Sequence, residues 1–305
     1  MLDIISIGAG TVDVLIKSAD LEVKKNKIVV PYHTKKEVDE GLITSGGGAT
    51  NSSVGFARMG LKSGCVALVG EDNLAGYIKD DLKKEKVESM VIGEDGGMTD
   101  YSVILIGRDG GRTIFTNRGK TRLEEENIDW EKIKETKWFY ITSLEGNMEL
   151  LEKLVGLAME ENIEIALNPG SRELKEQNRL RELLPQIDFL LLNREEAEFL
   201  MGREIEDEKF FEEIIKTKAK IVGITDGKEG SYLITATNKL FSPAINMKPI
   251  DETGAGDAFG SGVVGALFYE KKLDEALFWG AKNAGNVVGF IGAKKGLLNY
   301  IEISK

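Results

Sequence analysis

Residues 250–262 read IDETGAGDAFGSG and run straight into VVGALF. Phe259, Val263, Ala266 and Leu267 fall at i, i+4, i+7 and i+8, which predicts an apolar helix starting near Gly256. Gly254, Ala255 and Gly256 then stand at its N-terminus. Unpaired N–H groups and the positive end of the helix dipole make that place an anion site, and side chains no larger than methyl let a phosphate reach the backbone. Asp257 falls in the first turn, where the dipole keeps a carboxylate ionised and able to take a proton. The expectation is a general base for phosphoryl transfer, with the Gly254, Ala255 and Gly256 amides stabilising the transferring oxygens. For a bare GAGD, a glycine turn with an acid behind it is the structural alternative.

Working outward, strand-length apolar runs recur: LDIISIGA at the start, then 64–70, 138–142, 163–167, 188–192 and 220–225. Helical periodicity separates them, as in NMELLEKLVGLAMEEN from 147 and SRELKEQNRLRELL from 171. The alternation predicts an α/β fold, a doubly wound, mostly parallel sheet flanked by helices. Two segments break it with period-two patterning, about 12–44 and 97–118, the second carrying an RDGG turn. They are expected to form a small antiparallel β lid on a single domain spanning 1–305.

Composition narrows the function. The net charge of −11 argues against a nucleic-acid partner. One cysteine, Cys65, and one histidine, His33, exclude an internal disulfide, a histidine metal site and a Ser-His-Asp triad. With no leader-like N-terminus and no long apolar run, a cytoplasmic protein without membrane partners is expected. GAGTVD at 8–13 has Asp13 where a dinucleotide fingerprint needs its third glycine, and Gly119, Lys120 and Thr121 follow Ile114 where a P-loop needs glycine. Both motifs fail. An NAD-dependent oxidoreductase would rest on the first of them alone.

IDETGAGDAF resembles the C-terminal signature of the ribokinase family, the PfkB-type carbohydrate kinases. GGGATNSSVGFARMGLKSGCVALVG, from Gly46, resembles that family's N-terminal signature. The resemblance implies ATP-dependent phosphorylation of a primary hydroxyl on a small sugar, with ATP, Mg²⁺ and in some members K⁺. It implies that Asp13, Gly47 and Asn51 hold substrate hydroxyls, that Asn193 of LLNREEAEFL lies near the phosphates, and that Glu196 orients water on Mg²⁺. Thr225, Gly227 and Gly230 of ITDGKEGSYLI would face the nucleotide, as would Gly256, with Asn283 by the adenine. Asp251 and Thr253 match positions that hold a monovalent cation in some members. Glu252 departs from the usual threonine or small residue. Arg112 is placed to meet a polar or acidic substrate group. LNPGSREL resembles ribokinase, whereas GGRTIFTNRG looks closer to fructokinase-type or keto-sugar-acid kinases, so the acceptor stays open. A nucleoside kinase of the same fold and an inactive nucleotide-binding regulator remain alternatives. The lid implies a homodimer, because a small sheet has an apolar face to cover.

Overall fold

Strands form where apolar residues run without interruption or alternate, and the longest such runs lie in the middle of the molecule. A computed structural model describes residues 1–25, 27–107, 111–119, 122–245 and 249–305. In chain order the strands are β1 (Ile4–Ile7), β2 (Thr11–Lys17), β3 (Glu22–Lys24), β4 (Lys27–Val29), β5 (Glu40–Gly46), β6 (Ser63–Gly70), β7 (Glu88–Glu94) and β8 (Tyr101–Ile106). They continue with β9 (Arg112–Asn117), β10 (Trp138–Ile141), β11 (Glu164–Leu167), β12 (Phe189–Asn193), β13 (Ile221–Thr225), β14 (Ser231–Ile234) and β15 (Lys239–Ser242). The α-helices are α1 (Gly48–Arg58), α2 (Asn73–Lys84), α3 (Trp130–Ile133), α4 (Met148–Glu161), α5 (Ser171–Lys175) and α6 (Gln177–Leu183). After them come α7 (Arg194–Met201), α8 (Phe210–Lys216), α9 (Ala255–Phe268), α10 (Leu273–Val287) and α11 (Tyr300–Ile303).

Nine strands form one sheet in the order β15-β14-β13-β12-β11-β10-β1-β6-β7, parallel except for the β14 and β15 edge. All six strand runs expected from the sequence are in it, as β1, β6, β10, β11, β12 and β13. The edges β7 and β15 are partly exposed, so they lack the continuous apolar signature of a central strand. Successive residues of β10 serve opposite faces. Phe139 and Ile141 pack with the residues of α4, α6, α7 and α8, while Trp138 and Tyr140 pack with those of α1, α9 and α10. The helical stretch predicted from 171 is divided into α5 and α6 at Glu176, whose ψ of 47° leaves the helical region.

A second sheet has the order β5-β2-β8-β9. Its outer pairings are antiparallel and its central pair, β2 with β8, is parallel. β3 and β4 pair beside it as a two-stranded ribbon. Residues 108–110 of the RDGG turn lie outside the described residues, as do Lys120 and Thr121. The strands flanking that turn pair antiparallel, Ile104 opposite Ile114, as a hairpin requires. Leu15, Ile104 and Ile106 of this sheet are buried with Ile291, whereas Leu42, Ile43, Ile114 and Phe115 are exposed.

The winding positions the site. From β1 the main sheet grows one way through β6 and β7, then the other way through β10 to β13. Where strand order reverses, helices leave on opposite faces and a crevice opens beyond the carboxyl ends of β1 and β10.

Candidate active site

A small cavity occupies that crevice, lined by Gly8, Gly10, Asp100, Ser143 and Glu145 among others. β2 of the second sheet begins at Thr11, directly after Gly10 of that lining. Asp13 on β2 is buried, and Thr11 Oγ1 donates to its Oδ1 over 3.3 Å. β5 ends in Gly46 and Gly47, and both glycines are sterically required. A Cβ on Gly46 would sit 2.0 Å from Asp13 Oδ2, and one on Gly47, at φ 95°, would sit 2.5 Å from the Ala9 carbonyl oxygen. Burial pushes the Asp13 carboxyl up to about 6, against the pull of the Lys294 ammonium.

Gly47 caps α1, whose fourth residue is Asn51. Asn51 Nδ2 donates to Asp257 Oδ2 over 2.8 Å, joining the N-termini of α1 and α9. The Asn51 Oδ1 atom is buried and has no partner among the described residues. A buried acceptor without a donor is costly, so this atom is a place for a ligand hydroxyl.

Gly254 is the N-cap of α9, at φ 78° and ψ 4°. Any Cβ there would meet the Ala293 Cβ at 2.4 Å, so both backbone conformation and space demand glycine. Ala255 N–H returns to the Glu252 carbonyl, while the N–H groups of Gly256 and Asp257 have no acceptor among the described residues. Gly256 is exposed, with open space where a Cβ would point. Two free amides at the positive end of a 14-residue helix therefore face solvent beside a carboxylate. Burial raises the Asp257 carboxyl above the usual carboxylate range, while the Asn51 donor and the Lys294 charge pull it down.

Other expected residues lie elsewhere on the rim. Asn193 and Thr225 are register partners at the ends of β12 and β13. Asn193 and Glu196 form a reciprocal capping box on α7: Glu196 N–H donates to Asn193 Oδ1, and Asn193 N–H to Glu196 Oε2, each over 2.9 Å. Burial raises the Glu196 carboxyl. Gly227 is exposed with open space around it.

Four further expectations fall on residues that already have partners or close neighbours within the chain. Asn283 is fully buried, donating to the Ala258 carbonyl over 2.8 Å and accepting Leu298 N–H over 2.9 Å. Its amide ties α10 to α9. Gly230 is buried, and a Cβ on it would lie 2.4 Å from the Ser242 carbonyl oxygen, so it serves the sheet edge. Asp251 accepts Thr253 N–H and Oγ1–H through Oδ1 and Gly292 N–H through Oδ2, at 3.0, 2.6 and 2.9 Å. These bonds pin the anion loop. Arg112 lies 3.3 Å from Glu252, so its charge is answered from across the cleft.

Sequence reading missed Asp100, Glu145 and Lys294. Asp100, buried, accepts Gly119 N–H over 2.7 Å. Glu145, at φ 59°, takes ion pairs from Arg118 and Arg172. The signal for Glu145 was its place just after β10, at the reversal of strand order, which is visible only once strand order is known.

A profile of the pfkB family carbohydrate kinases matches residues 3–298. The chain belongs to that family. Among pfkB relatives, ribokinase of Haemophilus influenzae is 28% identical over 285 residues, covering 88% of this chain and 90% of its own. A probable fructokinase-6 of Arabidopsis thaliana is 26% identical over 258 residues, covering 77% and 67%. Among solved structures, adenosine kinase from Sinorhizobium meliloti superposes with a TM-score of 0.83 at 21% identity, covering 99% of this chain and 97% of its own. A candidate ribokinase II from E. coli, solved with ATP and Mg²⁺, gives 0.83 at 18% identity, covering 99% and 98%. These likenesses establish the pfkB fold, a parallel-dominated sheet between helices with a smaller sheet beside it.

Proposed function

We propose that the protein transfers the terminal phosphoryl group of ATP to a primary hydroxyl of a small neutral sugar, with Asp257 as general base. The observation that carries this reading is the junction of α1 and α9, where Asn51 holds one Asp257 oxygen beside two unpaired amides. Asp13 and the orphan Asn51 Oδ1 can fork across adjacent hydroxyls. Asp257 Oδ1 is then free to accept the proton of the hydroxyl held there. Gly256 and Asp257 N–H groups stabilise charge on the transferring oxygens, fixed in place by Gly254 and Asp251.

Glu196 has lone pairs left to hold a water of a bound Mg²⁺, which would supply charge neutralisation for the phosphates. Adjacent strands lie about 4.8 Å apart, which puts Asn193 and Thr225 about 10 and 15 Å along the rim from β10. A nucleotide lying between α9 and those strands would present its terminal phosphate to the amides. Closure of the smaller sheet would keep water from the base.

A neutral acceptor is favoured over a sugar acid because Arg112 is paired with Glu252, and Arg118 and Arg172 with Glu145. Each of these three guanidiniums already answers a carboxylate of the chain, so a substrate acid would have to compete for it. Release of ADP measured with ribose, fructose, 2-keto-3-deoxygluconate and nucleosides tests this. Turnover with ribose or fructose is expected, preference for the acid overturns the acceptor reading, and tight ATP binding without any transfer points to a regulator. Leu42, Ile43, Ile114 and Phe115 leave an exposed apolar face on the smaller sheet, which a second copy would cover in a homodimer.

A further inference from the structure

Lys294 follows the Gly292–Ala293 turn that packs on the anion loop, and it is only 7% exposed. Its ammonium donates to Ser45 Oγ and to Asp81 Oδ2, the latter over 2.9 Å, and Ser45 Oγ donates to the same carboxylate oxygen. The three groups close a triangle joining β5, α2 and the segment after α10. The Lys294 carbonyl is held in turn by Arg58 Nη1 at 2.6 Å, and Arg58 is bidentate on Glu85 at 2.9 and 2.7 Å.

Ser45 is the residue before Gly46, which makes room for the Asp13 carboxylate. The triangle therefore grips β5 where it leaves the smaller sheet and turns into α1. A buried ammonium is expensive to desolvate and persists only where its charge is used. Asp81 neutralises it once. Gly46, next to Ser45 in the triangle, packs against the Asp13 carboxylate, and the charges of Asp13 on β2, Asp257 on α9, Cys65 on β6 and, through Asp81, Lys84 on α2 act on the same cluster. Asp251 in the anion loop acts on Asp13 with the opposite sign. Cys65, its thiol pushed up to about 12 by burial, brings no negative charge at neutral pH.

From this arrangement we infer that Lys294 is a positioning residue for phosphoryl transfer: it fixes the β5 hinge through Ser45 and supplies the buried cation against which Asp13 and Asp257 stay ionised. The inference rests on the kinase reading for its link to turnover, while the Lys294–Ser45–Asp81 triangle carries it as geometry. Consistent with it, Lys294 draws both carboxyls down against the upward push of burial.

Lys294→Gln and Lys294→Met in the full chain are expected to move the acid limb of the kcat/KM profile up by about one pH unit. At pH 6 this is a loss of about fivefold, approaching about tenfold at lower pH and recovered near pH 9, and Lys294→Arg should restore the wild-type limb. ¹³C carboxyl titration, assigned with Asp13→Asn and Asp257→Asn, should show both carboxyls raised in the neutral variants whether or not any acceptor is turned over. Failure of the wild type to phosphorylate any acceptor would sink the kinase reading, while this titration still decides Lys294. An acid limb and carboxyl titrations matching wild type would overturn the inference. Should neither neutral variant fold, Ser45→Ala keeps the charge: a threefold or greater rise in acceptor KM with an unmoved acid limb supports the hinge, and an unchanged KM removes it.

Discussion

At the residue scale, the site is a set of acids held in expensive places. Asp257→Asn keeps size and the Asn51 contact region but removes the base, so kcat should fall by roughly 10² to 10⁴ with ATP affinity retained. Steady-state kinetics beside nucleotide titration checks this, and unchanged turnover removes Asp257 from the chemistry. Asn51→Ala deletes the donor that stabilises ionised Asp257, so the acid limb of kcat/KM should move to higher pH while acceptor KM rises. Asp13 has a folded value near 6 against an ordinary 3.8, so the folded state binds the extra proton between those values. Wild-type stability should therefore fall as pH rises from about 4 to 6, with the penalty complete above that. Asp13→Asn should gain up to about 3 kcal/mol at pH 8 in urea unfolding, with little gain at pH 4. An equal gain at both pH values would contradict the assignment.

At the element scale, α9 was the part most open to sequence reading. Its periodicity gave the start to within one residue, and the small side chains before it were expected at the anion loop. Gly254→Ala should abolish activity and lower stability by at least about 1–2 kcal/mol, because alanine at φ 78° is strained and its Cβ meets Ala293. Thermal unfolding and turnover measured together check it. The central strands were legible because both faces of each are buried, whereas β7 and β15 were not, being half exposed at the edges. Asn193 and Glu196 illustrate a different limit: N-x-x-E is both a capping box and a phosphate-end motif, and the same four residues satisfy the helix whether or not a nucleotide is bound. Asn283 sits on a helix face that looks polar in sequence, and only the packing of α9 on α10 shows the amide turned inward.

At the scale of the whole molecule, the site exists because three separate stretches of chain converge on one crevice. Residues 13, 51 and 257 come from the smaller sheet, α1 and α9, and their meeting depends on the reversal of strand order beside β1. Glu145 and Lys294 belong to the same convergence. Neither carries a local motif, so topology had to be known before either could be noticed. Exposed Ile114 and Phe115 on β9 predict that Phe115→Asp makes a paired assembly monomeric by light scattering, and a variant that still pairs would place the interface elsewhere. The central claim is tested most directly by a crystal structure with Mg²⁺ and a non-hydrolysable ATP analogue. The account predicts the terminal phosphate within hydrogen-bonding distance of the Gly256 and Asp257 amides, with Asp257 facing the crevice beside Asp13. A nucleotide whose phosphates lie in another cleft, with those amides still bare, would contradict it.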